Sequence, residues 1–251
     1  MPPEGPGEVE FELRPGGPED LEAVHEVFVA ASGGPGQIPE RRTPEQVRAW
    51  ILGLLEVHGR ELLVAERDGD LLGFLLLEGE WINLVFVHPG RPARGVGAAF
   101  LDLARALCPD GFGLRVHLSN ERARAFYRRQ GLVELERTDG RGYADGEPDL
   151  QMAWLGADPT AYLRRRIDAV DDELAVLLAR RDALTAAVQD QKLAAGDPGG
   201  HEGRDPEREA QIVARMLRQV PDLDPAQVRR VVHTVIEESL AAWERRRAAT
   251  S

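Results

Sequence analysis

Apolar positions along this chain keep two different periods, and the change from one to the other divides it. Over residues 9–154 short apolar runs alternate with longer amphipathic ones, the pattern of strands interleaved with helices. Strands are predicted at Val9–Arg14, Glu61–Glu66, Leu71–Leu77, Trp81–Val87, Gly113–Leu118, Leu132–Arg137 and Leu150–Trp154. Helices are predicted at Pro18–Ala31, Thr43–Val57, Val96–Cys108 and Arg122–Gln130, the second opened by a Thr cap followed by Pro and Glu. The turn Asp68-Gly69-Asp70 joins two strands into a hairpin. Near Gly156-Ala157-Asp158-Pro159 the alternation stops, and the remainder reads as three helices, Thr160–Ala195, Pro206–Val220 and Pro225–Arg247. A Gly/Pro-rich loop at Gly196–Gly203 and a Pro-Asp-Leu-Asp-Pro turn separate them. The expectation is an α/β domain over residues 1–155, a mixed sheet with flanking helices, followed by an all-α three-helix domain over residues 156–251.

The first of those helices would extend roughly 54 Å at 1.5 Å per residue, longer than so small a domain can bury by itself, which calls for a partner chain. Charge adds a constraint. The net charge of −12 disfavours nucleic acid, because a phosphate backbone is held by a surplus of Lys and Arg. It is also uneven: residues 1–155 carry 16 basic and 26 acidic side chains, net −10, against 15 and 17, net −2, beyond them. An acidic first half suits a cationic acceptor, although solubility alone also accounts for it. The single cysteine, Cys108, excludes an internal disulfide, and the opening residues MPPEGPGEVE lack the basic-then-apolar order of a secretory signal. No apolar run approaches the ~20 residues that span a bilayer, so no membrane association is expected and a reducing cytoplasm is the expected location. Of the 31 basic residues, only Lys192 is lysine. A preference for arginine codons explains the bias, and the lone exception then invites a chemical reason.

Leu84-Val85-Phe86-Val87-His88-Pro89-Gly90-Arg91-Pro92-Ala93-Arg94-Gly95-Val96-Gly97-Ala98 places a strand, a glycine turn and a helix start in succession. Glycines leave backbone N–H groups open at a helix N-terminus, where the dipole favours an anion, although such turns also arise for purely steric reasons. Together with Ser119-Asn120-Glu121-Arg122-Ala123-Arg124-Ala125-Phe126-Tyr127-Arg128-Arg129-Gln130-Gly131, this segment resembles the GNAT acetyltransferase superfamily, with its V-x-P, R-G-x-G and N-x-x-A-x-x-F-Y-x-x-x-G signatures. The resemblance covers about residues 8–155 and implies acetyl-CoA as acyl donor and an amine as acceptor. By that resemblance the backbone of Val85 to Val87 would pair with the pantetheine arm. The amides of Arg94, Gly95, Val96, Gly97 and Ala98 would hold the pyrophosphate, and Asn120 would touch the pantetheine. Tyr127 would protonate the departing thiolate. Pro92 departs from the usual Gln or Arg and removes one donor, for which Arg91 or Arg94 could substitute. The attacking amine needs a base, for which Glu78 and Glu80 are candidates.

In the long helix Leu163, Ile167, Val170, Leu174, Leu177, Leu178, Leu184 and Val188 make one apolar stripe, and Arg181 lies inside it. Lys192, eleven residues later, returns to within about 20° of the same face. The second helix adds Glu209 to the apolar face of Ile212, Val213, Met216, Leu217 and Val220, and the third runs from Val228, Val231, Val232, Val235 and Ile236 to Ser239 and Trp243. Charges on core faces are costly unless paired, so these groups neutralise one another or await a ligand. One carboxylate against two cations suits a small dianion, whereas a bundle whose core holds a salt bridge is the plainer reading.

The runs Tyr162-Leu163-Arg164-Arg165-Arg166-Ile167-Asp168-Ala169-Val170-Asp171, Leu177-Leu178-Ala179-Arg180-Arg181, Lys192, Asp205-Pro206-Glu207-Arg208-Glu209 and Ile236-Glu237-Glu238-Ser239 resemble the all-helical chorismate mutases over about residues 160–247. That resemblance implies an intertwined homodimer acting on chorismate without a cofactor or metal. Arg164 would reach the partner's site and join Arg181 in clamping two carboxylates, with Arg208 and Ser239 assisting. Glu209 and the Asp205 region would hold the ring hydroxyl, and Lys192 would donate to the ether oxygen. Chorismate-to-prephenate rearrangement needs no nucleophile, only a held conformer and stabilised charge on oxygen. Trp243 stands where the family places Gln or Glu. The chain is therefore expected to be a bifunctional enzyme, an N-acetyltransferase and a chorismate mutase. The alternative is an acetyltransferase whose helical domain only dimerises or senses a metabolite.

Overall fold

The computed structural model describes residues 11–32, 44–55, 59–91, 93–138, 140, 146–196, 205–220 and 223–250. The positions expected at Val9–Glu10, Thr43 and Glu56–Val57, Pro92, most of the Gly196–Gly203 loop and the start of the Pro-Asp-Leu-Asp-Pro turn lie outside them. The chain forms two compact units, Met1–Arg164 and Arg165–Ser251.

In the first unit β1 (Glu12–Pro15) leads through a 3-10 turn (Pro18–Asp20) into α1 (Leu21–Ser32), and α2 (Pro44–Leu55) follows. Then come β2 (Arg60–Arg67), β3 (Asp70–Glu78), β4 (Trp81–Val87), α3 (Val96–Leu107), β5 (Phe112–His117), α4 (Glu121–Arg129), β6 (Val133–Thr138) and β7 (Asp149–Trp154). The strands make one seven-stranded sheet in the order β1-β2-β3-β4-β5-β7-β6. It is mixed because α3 crosses between β4 and β5 and makes that one pair parallel. Asp68 (φ 53°) and Gly69 (φ 85°) make the two-residue turn of the β2–β3 hairpin, the left-handed pair that matches strand twist.

Two apolar layers sandwich the sheet. On one face Val96, Phe100, Leu101 and Ala104 of α3 and Tyr127 of α4 pack on Leu75, Ile82, Leu114, Val116, Leu150 and Met152. On the other, Val24, Val27 and Phe28 of α1 pack on Val64, Leu71 and Phe74. Arg14 ties the first edge together, donating to both oxygens of Asp20 at 2.8 Å and to Glu66. These hydrogen bonds, above all from Arg14, hold the Asp20 carboxyl below its ordinary pKa.

The second unit comprises most of α5 (Pro159–Ala194), together with α6 (Pro206–Leu217) and α7 (Pro225–Thr250). The opening of α5 belongs to the first unit, because Tyr162, 2% exposed, packs against Gly111. A Cβ at Gly111 would come within 2.4 Å of that ring, so only glycine permits the approach. Val213 of α6 packs with Val228, Val232 and Ile236 of α7, the period-3.6 faces expected of two amphipathic helices. Along α5 the apolar stripe stays open: Ile167, Val170, Leu177 and Leu184 are each about 60% exposed. A surface of this kind is the signature of an uncovered interface.

Candidate functional sites

Strands β4 and β5 pair only at Trp81↔Gly113 and Ile82↔Leu114, and beyond these residues they have no ladder between them. A bulge contributes, since Leu76 and Leu77 of β3 face Leu84 and Ile82 and leave Asn83 without an opposite residue. The backbones of Val85, Phe86 and Val87 therefore border a gap. At its end Gly95, φ 89°, caps α3 in a left-handed conformation that side-chain-bearing residues resist. The first intrahelical hydrogen bond of α3 runs from Ala99 to the carbonyl of Gly95 at 2.8 Å, so the N–H groups of Val96, Gly97 and Ala98 precede it. Gly97 lets Phe126 of α4 close over this turn, for a Cβ there would stand 3.3 Å from the ring. Three aligned amides, the helix dipole and an adjacent strand gap fit a pyrophosphate joined to an extended arm.

Of the residues around that gap, Arg94 is exposed beside the helix start. Arg91 is engaged elsewhere, donating to the carbonyl of Leu71 and to Glu26, both at 2.7 Å. It therefore does not substitute for a Pro92 donor, and Pro92 itself lies outside the described residues. Asn120 caps α4, its Oδ1 accepting from Ala123 N at 3.0 Å, which leaves its amide nitrogen as the part able to reach a ligand. Tyr127 is buried in the layer that includes Val116 and touches Val85 and Val87, and burial pushes its phenol up to about 12. Glu78, a candidate base, accepts from Arg60 at 2.8 Å and Asn83 at 3.1 Å, and these bonds lower its pKa. Glu78 closes β3 and Glu80 immediately precedes β4, about 20 Å, a strand length, from the glycine turn.

Sequence reasoning passed over a polar group on the sheet. Arg115 and His117 alternate with Leu114 and Val116 along β5, and they face Gln151 and Asp149 of β7 across the ladder. Asp149 and Gln151 are each 3% exposed although α1 and α2 lie over other strands. The signal was available as polar residues at every second position of G-L-R-V-H, but periodicity alone does not tell a solvated strand face from a buried one.

In the helical unit Arg181 Nη1 donates to Ser239 Oγ at 2.6 Å and to the carbonyl of Val235 at 3.0 Å. Ser239, 1% exposed, also lies within hydrogen-bond reach of Asp182 Oδ1. Trp243, one turn on, is 7% exposed and donates its indole N–H to Asp190 Oδ1 at 2.8 Å. Asp182 and Asp190 were not singled out from sequence, because each reads as a solvated position on a helix rich in charge. Lys192 is half-buried two residues beyond Asp190, and Glu209 is half-buried on α6. Asp205 caps α6 by accepting from Arg208 N at 2.9 Å, while the Arg208 side chain stays exposed, as does Arg164 on α5.

Comparison with known proteins agrees with both halves. Residues 58–134 match the model of the acetyltransferase (GNAT) domain, and residues 163–243 match chorismate mutase type II. The peptidyl-lysine N-acetyltransferase YjaB of Escherichia coli strain K12 is 31% identical over 94 residues, which is 38% of this chain and 63% of that protein. Peptidyl-lysine N-acetyltransferase YiaC of the same strain is 38% identical over 70 residues, 28% of this chain and 47% of YiaC. The chain thus spans about half to two-thirds of the length of these relatives. The solution structure of apo YjaB from Escherichia coli superposes with a TM-score of 0.50 at 22% identity, covering 59% of this chain and 99% of that one, a likeness of fold. This chain carries a GNAT acetyltransferase domain followed by a chorismate mutase type II domain. No helix among the described residues is long and apolar enough to cross a membrane.

Proposed function

We propose that the protein is a bifunctional enzyme: its first domain transfers an acetyl group from acetyl-CoA to a primary amine, and its second converts chorismate to prephenate. The observation that carries the first activity is the gap left where β4 and β5 stop pairing, closed at one end by the free amides of α3. Val85 and Val87 offer backbone groups to an extended arm along β4, and Val96, Gly97 and Ala98 offer theirs to the pyrophosphate, with Arg94 alongside. The amine attacks the thioester carbonyl as free base, a C–N bond forms, the C–S bond breaks, the thiolate takes the Tyr127 proton, and the proton shed by the nitrogen passes through solvent to restore the phenol. Burial keeps the Tyr127 phenol protonated at neutral pH, so the proton is in place when the thiolate forms. The relatives that act on peptidyl-lysine support a lysine side chain as the acceptor.

The second activity is supported by Arg181, held by Ser239 and Val235 on a largely apolar stripe, with Lys192 on nearly the same face. Arg181 would grip a carboxylate, Lys192 the ether oxygen, and Glu209 with the Asp205 region the ring hydroxyl, while Arg208 closes the site. A homodimer through the open stripe of α5 would bring Arg164 of each chain to its partner's site. One specific feature favours the alternative of a non-catalytic helical domain: Trp243 is buried and bound to Asp190 where the family has Gln or Glu. Purified protein decides between them. Chorismate absorbance falling above the spontaneous rate, and not in Lys192→Ala, supports turnover, whereas a dimer with no fall selects the binding role. Transfer of label from acetyl-CoA to a lysine peptide tests the first domain.

A further inference from the structure

A four-residue turn, His88-Pro89-Gly90-Arg91, joins β4, the strand bordering the gap, to the segment that opens α3. Its entry is anchored to the sheet, His88 N donating to the carbonyl of Leu72 at 2.8 Å. Its closing bond is long: Arg91 N reaches the carbonyl of His88 at 3.4 Å, beyond the usual range. Pro89 brings no backbone donor, so side chains must do most of the holding. Arg91 pins the end of the turn outward, to the carbonyl of Leu71 and to Glu26 of α1, both at 2.7 Å. His88 pins its middle from within, Nδ1 accepting from Gly90 N at 3.1 Å. Asn and Asp make the same bond to the N–H two residues on in an Asx turn, and here a ring nitrogen takes the place of the oxygen. The imidazole side chain is 15% exposed, so the bond is partly sheltered from water.

That bond fixes the protonation the ring must have. A nitrogen that accepts carries no hydrogen, so the neutral ring bears its proton on Nε2, which lies 4.0 Å from Glu26 Oε1. A second proton would go on Nδ1. Two N–H groups would then face each other, and Gly90 would lose its acceptor. Charge reaches the ring from Glu26 of α1, a carboxylate shared with Arg91 of the turn, while β3 meets His88 through the Leu72 carbonyl. Glu26 would balance the added charge at the far nitrogen without replacing the bond to Gly90.

We infer that His88 is a positioning residue for acetyl-CoA: its neutral imidazole holds the turn in the shape that presents the amides of Arg94 to Ala98 to the pyrophosphate, and a second proton loosens that hold. The inference rests on the acetyl-transfer reading above. The effect is modest, because Val96, Phe100 and Leu101 anchor α3 in the core independently of the turn. Donor binding therefore weakens as pH falls. The general trend for an acidic chain runs the other way, since carboxylates that gain protons repel an anion less.

The test titrates the full chain calorimetrically with dephospho-CoA, which keeps the pyrophosphate and lacks the phosphate monoester that would itself take a proton. Titrations at about pH 8 and about pH 5.5 span the range over which imidazole changes charge. The unaltered protein is expected to bind roughly 3- to 10-fold more weakly at the lower pH, the scale of one hydrogen bond. His88→Asn, whose Oδ1 can accept from Gly90 N and takes no proton, should match the unaltered protein at the higher pH and keep that affinity at the lower. His88→Ala should bind weakly at both. Affinity that is unchanged or rises towards the lower pH in the unaltered protein overturns the inference, and that result needs no variant. So does an Asn variant that declines as the unaltered protein does or is as weak as His88→Ala, or an Ala variant that binds like the unaltered protein throughout. Acetyl-CoA titrated at the higher pH separates the failures: acetyl-CoA bound without dephospho-CoA removes only the His88 assignment, whereas neither bound removes the acetyl-transfer reading beneath it.

Discussion

The two units solve the same burial problem in opposite ways. The sheet unit covers both of its faces from within, α3 and α4 on one side and α1 on the other, and Phe74, Phe100 and Phe112 are essentially inaccessible. The helical unit keeps a small internal cluster between α6 and α7 and leaves the α5 stripe open. A site built on the first kind of scaffold is complete within one chain. A site built on the second depends on whatever covers the stripe, so its chemistry and its assembly are linked.

That contrast can be broken most sharply at the stripe itself. Leu177→Glu together with Val170→Glu places charges where a partner's apolar side chains would sit, and each buried unpaired charge costs several kcal/mol. Chorismate turnover should disappear along with the dimer in sedimentation, while acetyl transfer stays within about twofold; a monomer with full mutase activity would sink the linkage. Next in size, Lys192→Ala should lower the mutase kcat by roughly 10²–10³-fold at unchanged dimerisation, the usual effect of removing one group that stabilises developing charge. A smaller effect is expected in the other unit. Tyr127→Phe should reduce acetyl-transfer kcat by roughly 10²-fold, with acetyl-CoA affinity little changed, as measured by thiol release.

Tyr127 also has a stability signature. Its folded pKa, near 12, lies above the ordinary value of 10 because burial disfavours the phenolate. The unfolded chain therefore loses this proton first as pH rises, and stability declines from about pH 10 until the folded pKa is passed, by about 2–3 kcal/mol in all. Denaturant titrations at pH 9 and 11 should show that decline in the parent and a smaller one in Tyr127→Phe. Smallest of all, Trp243→Phe keeps an aromatic ring of smaller size and removes the indole N–H held by Asp190. A loss of about 1 kcal/mol is expected in the helical unit, with a melting midpoint of the sheet unit that does not move.

Much of this was legible in one dimension. The change of period near Gly156 located the passage from strands to helices, since side-chain alternation of two or of 3.6 is a local property of the backbone. Gly95 and Gly97 marked a turn that needs a left-handed residue and a close ring, and Asn120 marked a helix start. Arg181 and Ser239 could be named because each interrupts an apolar stripe. What sequence did not reveal were partners brought together from afar: Ser239 for Arg181, Asp190 for Trp243, Glu26 for Arg91 and Arg60 for Glu78. Each is more than fifteen residues from its partner along the chain, and nothing in local pattern records such a meeting.

The amino-acid sequence alone thus determined the elements, the turn that exposes three amides, and the inventory of charges set among apolar residues, because these follow from short-range sterics and hydrophobic period. Tertiary structure alone decided that β7 lies between β5 and β6, that β4 and β5 part after two pairs, and that Asp149 is buried with one oxygen unanswered among the described residues. Strand order and burial depend on how separate segments pack against one another. The free energy of that packing belongs to pairs of elements and cannot be read from either member.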